Sequence, residues 1–283
     1  MKTVYASLTG RSGDRSVIET SLLLNRLFDC WVDFFHVRLD AETISKLAAT
    51  TPFTASYLIN EQLTTMTHDA AERGDRARKI FDSFAKAPAG KSASPFSWHE
   101  VTGIDTDETI ARSHIYELLV LGRDPEMHYR GQDRMGAVVM GCGRPVLIVP
   151  DRAPTTLCET VVLAWKDRPE AARALTAAAP LLAKAKRIVA VHVREGSKKS
   201  DATKGSVERL AEQLRRHGYP VEAREVSFDA GTVAEQLRAV ISETNADLFV
   251  TGAYGHSRLR ELILGGVTEE IIENCAVPTL LFH

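Results

Sequence analysis

Near the end of the chain an apolar run, Ala246-Asp247-Leu248-Phe249-Val250-Thr251-Gly252, stops at a glycine. Two residues separate it from Gly255; nine more, beginning with His256, lead to Gly265, and Gly266-Val267-Thr268 follows. The pattern predicts a buried strand emptying into a glycine loop that feeds the N-terminus of a helix. N–H groups at a helix start have no intrahelical partner and the dipole is positive there, so the arrangement suits an anion. Glycines let the backbone approach a phosphate with no Cβ in the way. The stretch is not a P-loop, because it lacks Gly-Lys-Ser/Thr, and its spacing differs from a Rossmann fingerprint.

Other residue types offer less chemistry. His256, after the second glycine, is equally a phosphate donor or an exposed loop histidine. Arg258 and Arg260 lie between the second and third glycines and add positive potential, although a solvated loop face accounts for them too. His36 and His192 alternate with apolar neighbours and read as satisfied strand-end histidines rather than metal ligands. Asp105, Asp107 and Glu108 open a helix, where acids complement the dipole. Arg123 reads as a salt-bridged arginine. Ser113, Ser257 and Cys158 have no adjacent base at motif spacing, so no nucleophilic triad emerges and no dedicated catalyst is expected.

The elements that must hold this loop alternate along the chain. In the first half, strands are expected at Val4–Leu8, Trp31–Val37, Phe96–Val101, Tyr116–Gly122 and Arg144–Pro150. Helices are expected at Val17–Phe28, Thr64–Ala87 and Asp105–Ser113. The order then restarts. Strands at Thr160–Trp165, Arg187–Val193, Val221–Phe228, Leu248–Gly252 and Thr279–Phe282 alternate with helices at Glu170–Leu182, Thr203–His217, Thr232–Thr244 and Gly266–Asn274. Phe35-His36-Val37-Arg38 answers Val191-His192-Val193-Arg194, and Leu118-Leu119-Val120-Leu121-Gly122 answers Leu248-Phe249-Val250-Thr251-Gly252. Strand–helix alternation implies parallel sheets with helices on both faces. Two tandem copies of one α/β unit are expected, residues 1–150 and 155–283, joined near Asp151–Thr155.

The 283 residues are 44% hydrophobic and 25% charged, the balance of a soluble globular protein with room for two cores. A formal net charge of −2 gives no global push toward nucleic acid or an anionic membrane. No apolar run approaches the roughly 20 residues of a membrane helix, and the N-terminus lacks a signal-peptide core. Cys30, Cys142, Cys158 and Cys275 show no metal-ligand spacing and read as buried thiols of a reducing cytoplasm.

Gly252, Gly255, Gly265 and Gly266-Val267-Thr268, with His192-Val193 and the closing Val277-Pro278-Thr279-Leu280-Leu281, resemble the universal stress protein family in its tandem form. The resemblance covers residues 158–283 closely and 1–150 more loosely. It implies two five-stranded parallel-sheet α/β sandwiches, a Rossmann-like fold class, with ATP at the carboxyl edge of the strands, with or without Mg2+. By position, Gly252, Gly255, His256, Gly265, Gly266, Val267 and Thr268 would hold phosphates and ribose, Thr268 offering a hydroxyl. Val193 would meet the adenine through its backbone, beside Ala164. Two departures stand out: Lys166 occupies the place of an acidic residue, for which Asp167 is a substitute after a register shift, and Gly266 that of a small hydroxyl residue. In the first half Arg123-Asp124-Pro125 replaces the second glycine. Gly141-Cys142-Gly143 stands where a phosphate loop would end, with Arg144-Pro145 leaving no room for a following helix, so this half reads as degenerate. The resemblance also implies that Val146–Val149 and Thr279–Phe282 pair across an antiparallel seam. The expected function is a cytoplasmic, stress-associated nucleotide-binding protein, regulatory rather than catalytic, with two chains pairing further as a homodimer. Its alternative is a nucleotide-free interaction scaffold, its protein partner open.

Overall fold

The computed structural model describes residues 1–43, 59–84, 94–123, 134–195, 205–253, 266–274 and 276–283. Ten strands form one sheet. In chain order they are β1 (Thr3–Ser7), β2 (Trp31–Arg38), β3 (Phe96–Thr102), β4 (Leu118–Gly122), β5 (Val146–Val149), β6 (Thr160–Ala164), β7 (Arg187–Glu195), β8 (Val221–Phe228), β9 (Leu248–Gly252) and β10 (Thr279–Phe282). Their spatial order is β3-β2-β1-β4-β5-β10-β9-β6-β7-β8. All neighbours within β1–β5 and within β6–β10 run parallel. The α/β class expected from strand–helix alternation is the one observed.

The single antiparallel pairing joins β5 to β10, with Thr279 opposite Ile148, Leu280 opposite Leu147 and Leu281 opposite Val146. This seam lies inside one chain. A parallel sheet covered on both faces needs apolar residues on both, which is why β4 and β5 read as unbroken apolar runs. Alternate residues then serve opposite faces: Leu118 and Val120 enter one core cluster, Leu119 and Leu121 another.

Among the described residues eight helices cover the faces: α1 (Asp14–Phe28), α2 (Ile59–Phe84), α3 (Asp105–Ser113), α4 (Arg134–Gly141), α5 (Pro169–Leu182), α6 (Ser206–Arg216), α7 (Val233–Glu243) and α8 (Gly266–Asn274). α7 starts with a capping box, in which the Thr232 hydroxyl accepts from the Glu235 N–H and the Glu235 carboxylate accepts from the Thr232 N–H. α5 opens with Pro169, whose missing N–H costs nothing at a first turn. One large core cluster runs beneath α1, α2, α5 and α6 and takes in strands of both halves.

At the sheet's outer margin, β8 is buried only at Val221, half-buried or exposed at its other positions, and carries Glu222, Arg224 and Glu225. Ion pairs Arg187–Glu222 (2.6 Å) and Arg194–Glu225 (2.8 Å) tie it to β7. Charges on an edge strand discourage pairing with foreign strands. Cys30, Cys142 and Cys158 are buried thiols, and burial pushes Cys158 up to about 12 and Cys30 up to about 11. Cys275 lies outside the described residues.

Candidate functional site

The crevice forms where the strand order reverses. From β6 the chain passes through α5 to β7 on one side; from β9 it passes through α8 to β10 on the other. β6 and β9 are themselves neighbours, with Leu163 opposite Val250. Such a switch point opens a gap at the carboxyl ends of the strands, because the two connections leave in opposite directions. Ala164 ends β6, Gly252 ends β9, and Val193 lies near the end of β7. Ala164 and Val193 are partly buried and pack on the same apolar cluster beneath α7. Lys166 is exposed on the β6–α5 loop, and its carbonyl accepts from the Arg168 N–H (2.7 Å).

Gly252 has a local reason to be glycine. A Cβ there would stand 2.7 Å from the Glu170 carbonyl carbon and 2.8 Å from the Ala171 nitrogen, both backbone atoms of the first turn of α5. The need for glycine at this position is therefore met by helix–strand packing before any phosphate is considered. The first half repeats the contact more loosely, a Cβ at Gly122 meeting Val17 Cγ2 at 3.1 Å and the Gly13 oxygen at 3.3 Å.

Gly266 opens α8, Val267 is 40% exposed, and the Thr268 side chain is buried. Gly255, His256, Arg258, Arg260 and Gly265 lie outside the described residues. Glu270, in the middle of α8, accepts from the Thr232 hydroxyl (3.1 Å) and pairs with Arg238 (3.0 Å), which fixes the helix against α7.

Sequence reasoning passed over Glu170. It occupies the first turn of α5, against Gly252, and its Oε2 is buried with no hydrogen-bond partner among the described residues. A buried acceptor left unpaired costs about 1–3 kcal/mol. The signal was available in outline, as an acid at a helix start beside the strand end.

Both strand-end histidines make the same contact. His36 Nδ1 lies 2.9 Å from the Leu8 oxygen, and His192 Nδ1 lies 2.9 Å from the Trp165 oxygen. Each is buried and joins its strand to the loop leaving β1 or β6, the strand-end role expected of it, although His36 Nε2 is buried without a partner among the described residues. Among the described residues no group of three His, Cys, Asp or Glu stands ready to hold a metal ion.

The first half differs at the matching place, and one sequence expectation is corrected there. Gly141-Cys142-Gly143 does not end a phosphate loop. It closes α4, with the Cys142 N–H donating to the Val138 oxygen (2.9 Å) and Gly143 at φ +58° just beyond. At Gly141 a Cβ would meet Ile110 Cδ1 of α3 at 2.8 Å, a contact that the end of the isoleucine side chain would have to turn away from. A helix therefore precedes Arg144-Pro145, and Arg134 stands at its head as Gly266 stands at the head of α8. The Arg134 side chain is 3% exposed and pairs with Asp105 through Nε. Its Nη2 donates to Ser7 Oγ at the end of β1 (2.7 Å) and to Asp105 Oδ1 (3.3 Å). The start of α4 is filled by the protein's own cation.

Nearby, the Asp14 carboxylate accepts from the Thr9 N–H (2.8 Å), the Thr9 hydroxyl (3.2 Å) and the Gly10 N–H (2.8 Å). Gly10, at φ +74°, lies so close to the Arg73 oxygen of α2 that a Cβ would sit 2.2 Å from it. Arg123 is salt-bridged as expected, to Asp151 at 2.9 Å, and also donates to the Glu273 oxygen (2.6 Å).

Residues 158–283 match the model of the universal stress protein family. A universal stress protein of Synechocystis sp. is 25% identical over 175 residues, 59% of this chain and 58% of that protein. One from Methanocaldococcus jannaschii is 26% identical over 85 residues, 30% of this chain and 51% of that protein. The chain thus spans little more than half the length of these curated relatives. The crystal structure of a universal stress protein from Archaeoglobus fulgidus DSM 4304 superposes with a TM-score of 0.71 at 18% identity, covering 99% of this chain and 95% of that one, and so shares the fold. The matched segment, the C-terminal half of the chain, is similar in sequence to the universal stress protein family, and the whole chain shares the fold of one of its members.

Proposed function

We propose that the C-terminal half binds an adenine nucleotide, ATP, at the carboxyl ends of β6, β7 and β9, as a regulatory ligand in a stress response rather than as a substrate. The observation that carries this reading is the reversal of strand order between β6 and β9, with Gly252 leaving one strand and Gly266 opening α8 inside the family-matched segment. The unpaired helix-start N–H groups would take phosphate oxygens. Lys166, exposed on the rim, supplies a cation of the kind a polyphosphate attracts. The buried Glu170 Oε2 is an acceptor that a sugar hydroxyl or amino group of the ligand would satisfy. Mg2+ would enter with the triphosphate.

In this reading residues 1–150 and 155–283 are two copies of one unit, and the first serves as a structural partner. Arg134, held by Asp105 and Ser7, supports one nucleotide per chain. The proposed setting is the cytoplasm, without nucleic acid or membrane as partner. We also propose that two chains associate; light scattering that finds only particles of 31.1 kDa would remove the dimer.

Calorimetry with ATP, and mass spectrometry of nucleotide carried through purification, test the site on wild type and Gly265→Val. The valine branch is expected to abolish binding. Gly252→Val is a poor probe, because its Cβ would strike the α5 backbone whether or not nucleotide binds. If wild type and Gly265→Val bind alike, or neither binds, the second reading takes over: a nucleotide-free scaffold, which the absence of an acid at Lys166 and of a hydroxyl at Gly266 favours.

A further inference from the structure

α8 belongs to the second half by sequence but straddles the seam by packing. Ile271 enters the apolar cluster beneath α7, whereas Ile272 enters the cluster built from β1, β4, β5 and α4 of the first half. At its C-terminal end α8 has no basic residue in the last turn, and Glu273 adds a negative charge there. The last carbonyls of a helix lack intrahelical partners, and the dipole is negative at that end. A cation is what such an end lacks.

Arg123 supplies it from the other half. It follows the final residue of β4, where its own N–H continues the sheet by donating to the Val149 oxygen (2.9 Å). Its side chain is 23% exposed. Nη1 donates to the Glu273 oxygen (2.6 Å), and Nη2 donates to Asp151 Oδ2 (2.9 Å) in the segment joining the halves. The surrounding wall comes from both sides of the seam: Ile148, Val149 and Pro150 from one, Ile272, Val277 and Thr279 from the other.

The two ends of α8 therefore carry different loads. The N-terminus faces the proposed nucleotide, and the C-terminus is held by an arginine of the first half. The nine-residue helix is about 13 Å long, so its two ends are joined by only about two and a half turns. We propose that Arg123 is a positioning residue that couples the N-terminal half to the nucleotide site through α8. The coupling rests on the nucleotide reading given above. It is reciprocal: if Arg123 favours the α8 position that accepts ATP, then ATP tightens the packing around Arg123 and Asp151.

The test uses the full chain and ATP. Calorimetry compares wild type with Arg123→Gln, Arg123→Lys and Arg144→Gln. The last is a control, since Arg144 donates through Nε and Nη2 to the His114 oxygen at the end of α3, within the first half. Arg123→Gln is expected to weaken ATP binding about three- to tenfold, the scale of a charge at a partly buried helix end. Arg123→Lys should recover part of the loss, and Arg144→Gln should bind like wild type. Hydrogen exchange separates coupling from a merely structural role. Adding ATP should slow exchange at residues 146–151 in wild type but not in Arg123→Gln. Should Arg123→Gln fail to fold, Asp151→Asn loosens the same arginine at an exposed position and should weaken ATP in the same direction. Unchanged affinity in the variants, with no ATP-dependent protection at the seam, sinks the coupling alone. A wild type that binds no ATP sinks the nucleotide reading and the coupling together.

Discussion

Glu170 and Asp14 are acids at matched helix starts, and their surroundings give them opposite fates. Asp14 is buried but accepts three hydrogen bonds from Thr9 and Gly10. Glu170 Oε2 is buried and accepts none among the described residues. If a ligand donor completes Glu170, Glu170→Gln should show two effects of opposite sign. The apo protein should unfold at a higher temperature, because an unpaired carboxylate oxygen is gone. ATP affinity should fall about fivefold, the worth of one hydrogen bond of about 1 kcal/mol. Scanning calorimetry and titration on the same samples check both; a fall in both would make Glu170 a structural residue. For Asp14, burial raises the carboxyl above its ordinary 3.8, against the pull of the Thr9 and Gly10 bonds and of His36. The folded state then holds a proton that the unfolded state has already released. Stability from this group is thus lost as pH rises above 3.8 and levels off past the raised value. Urea titrations should show wild type falling relative to Asp14→Asn across that window; parallel curves would mean that the folded and unfolded carboxyls titrate together.

At the scale of elements, strands and helices were legible because apolar runs and helical periodicity reflect burial directly. Leu118–Gly122 and Val146–Val149 are buried on both faces, and nothing but a parallel sheet explains such runs. The boundary of α4 was not legible. Gly141-Cys142-Gly143 looks like a loop whether it opens a helix or closes one, and only the contact with Ile110 decides. Counting back from the proline before each last strand brings Arg134 opposite Val267, within one residue of the glycine that opens α8. The packing demand on Gly252 was not legible for a related reason, since sequence does not distinguish a backbone approached by a phosphate from one approached by α5. Arg123 was legible as an ion-paired arginine, but its bond to Glu273 depends on a fold in which distant segments meet. The Arg134–Asp105 pair carries an element-scale prediction. Arg134→Ala would leave Asp105 without its guanidinium beside a buried Ser7, at a cost of about 3–5 kcal/mol in urea unfolding. Nucleotide stoichiometry should remain one per chain, because removing the arginine leaves the first half without Gly266's counterpart loop. A loss under 1 kcal/mol would show that the pair contributes little.

For the whole molecule, the ten-stranded sheet makes the halves thermodynamic partners. Leu147 and Leu280 face each other at full burial, and the large core cluster includes both. A fragment ending at Pro150 would bare the hydrogen-bonding edge of β5, all of whose residues are buried in the full chain. It should dimerise through that edge or aggregate, as unprotected edge strands do. Gel filtration and light scattering of the fragment check this, and a soluble monomer with native circular dichroism would count against it. The full chain should unfold in one transition, since a core shared by both halves resists being lost in two steps.

An isologous interface between identical subunits demands that each patch fit a copy of itself, so a change on one side is repeated on the other. The β5–β10 seam, closed within one polypeptide, lifts that demand. The connector keeps the two strands at a high effective concentration whatever the dilution of the protein. Each side can then accept substitutions that the other never sees: arginine at the head of one helix and glycine at the head of its counterpart, a cation reaching over the boundary with no twin reaching back. Asymmetry becomes heritable, and a symmetric pair of sites can become one site and its support.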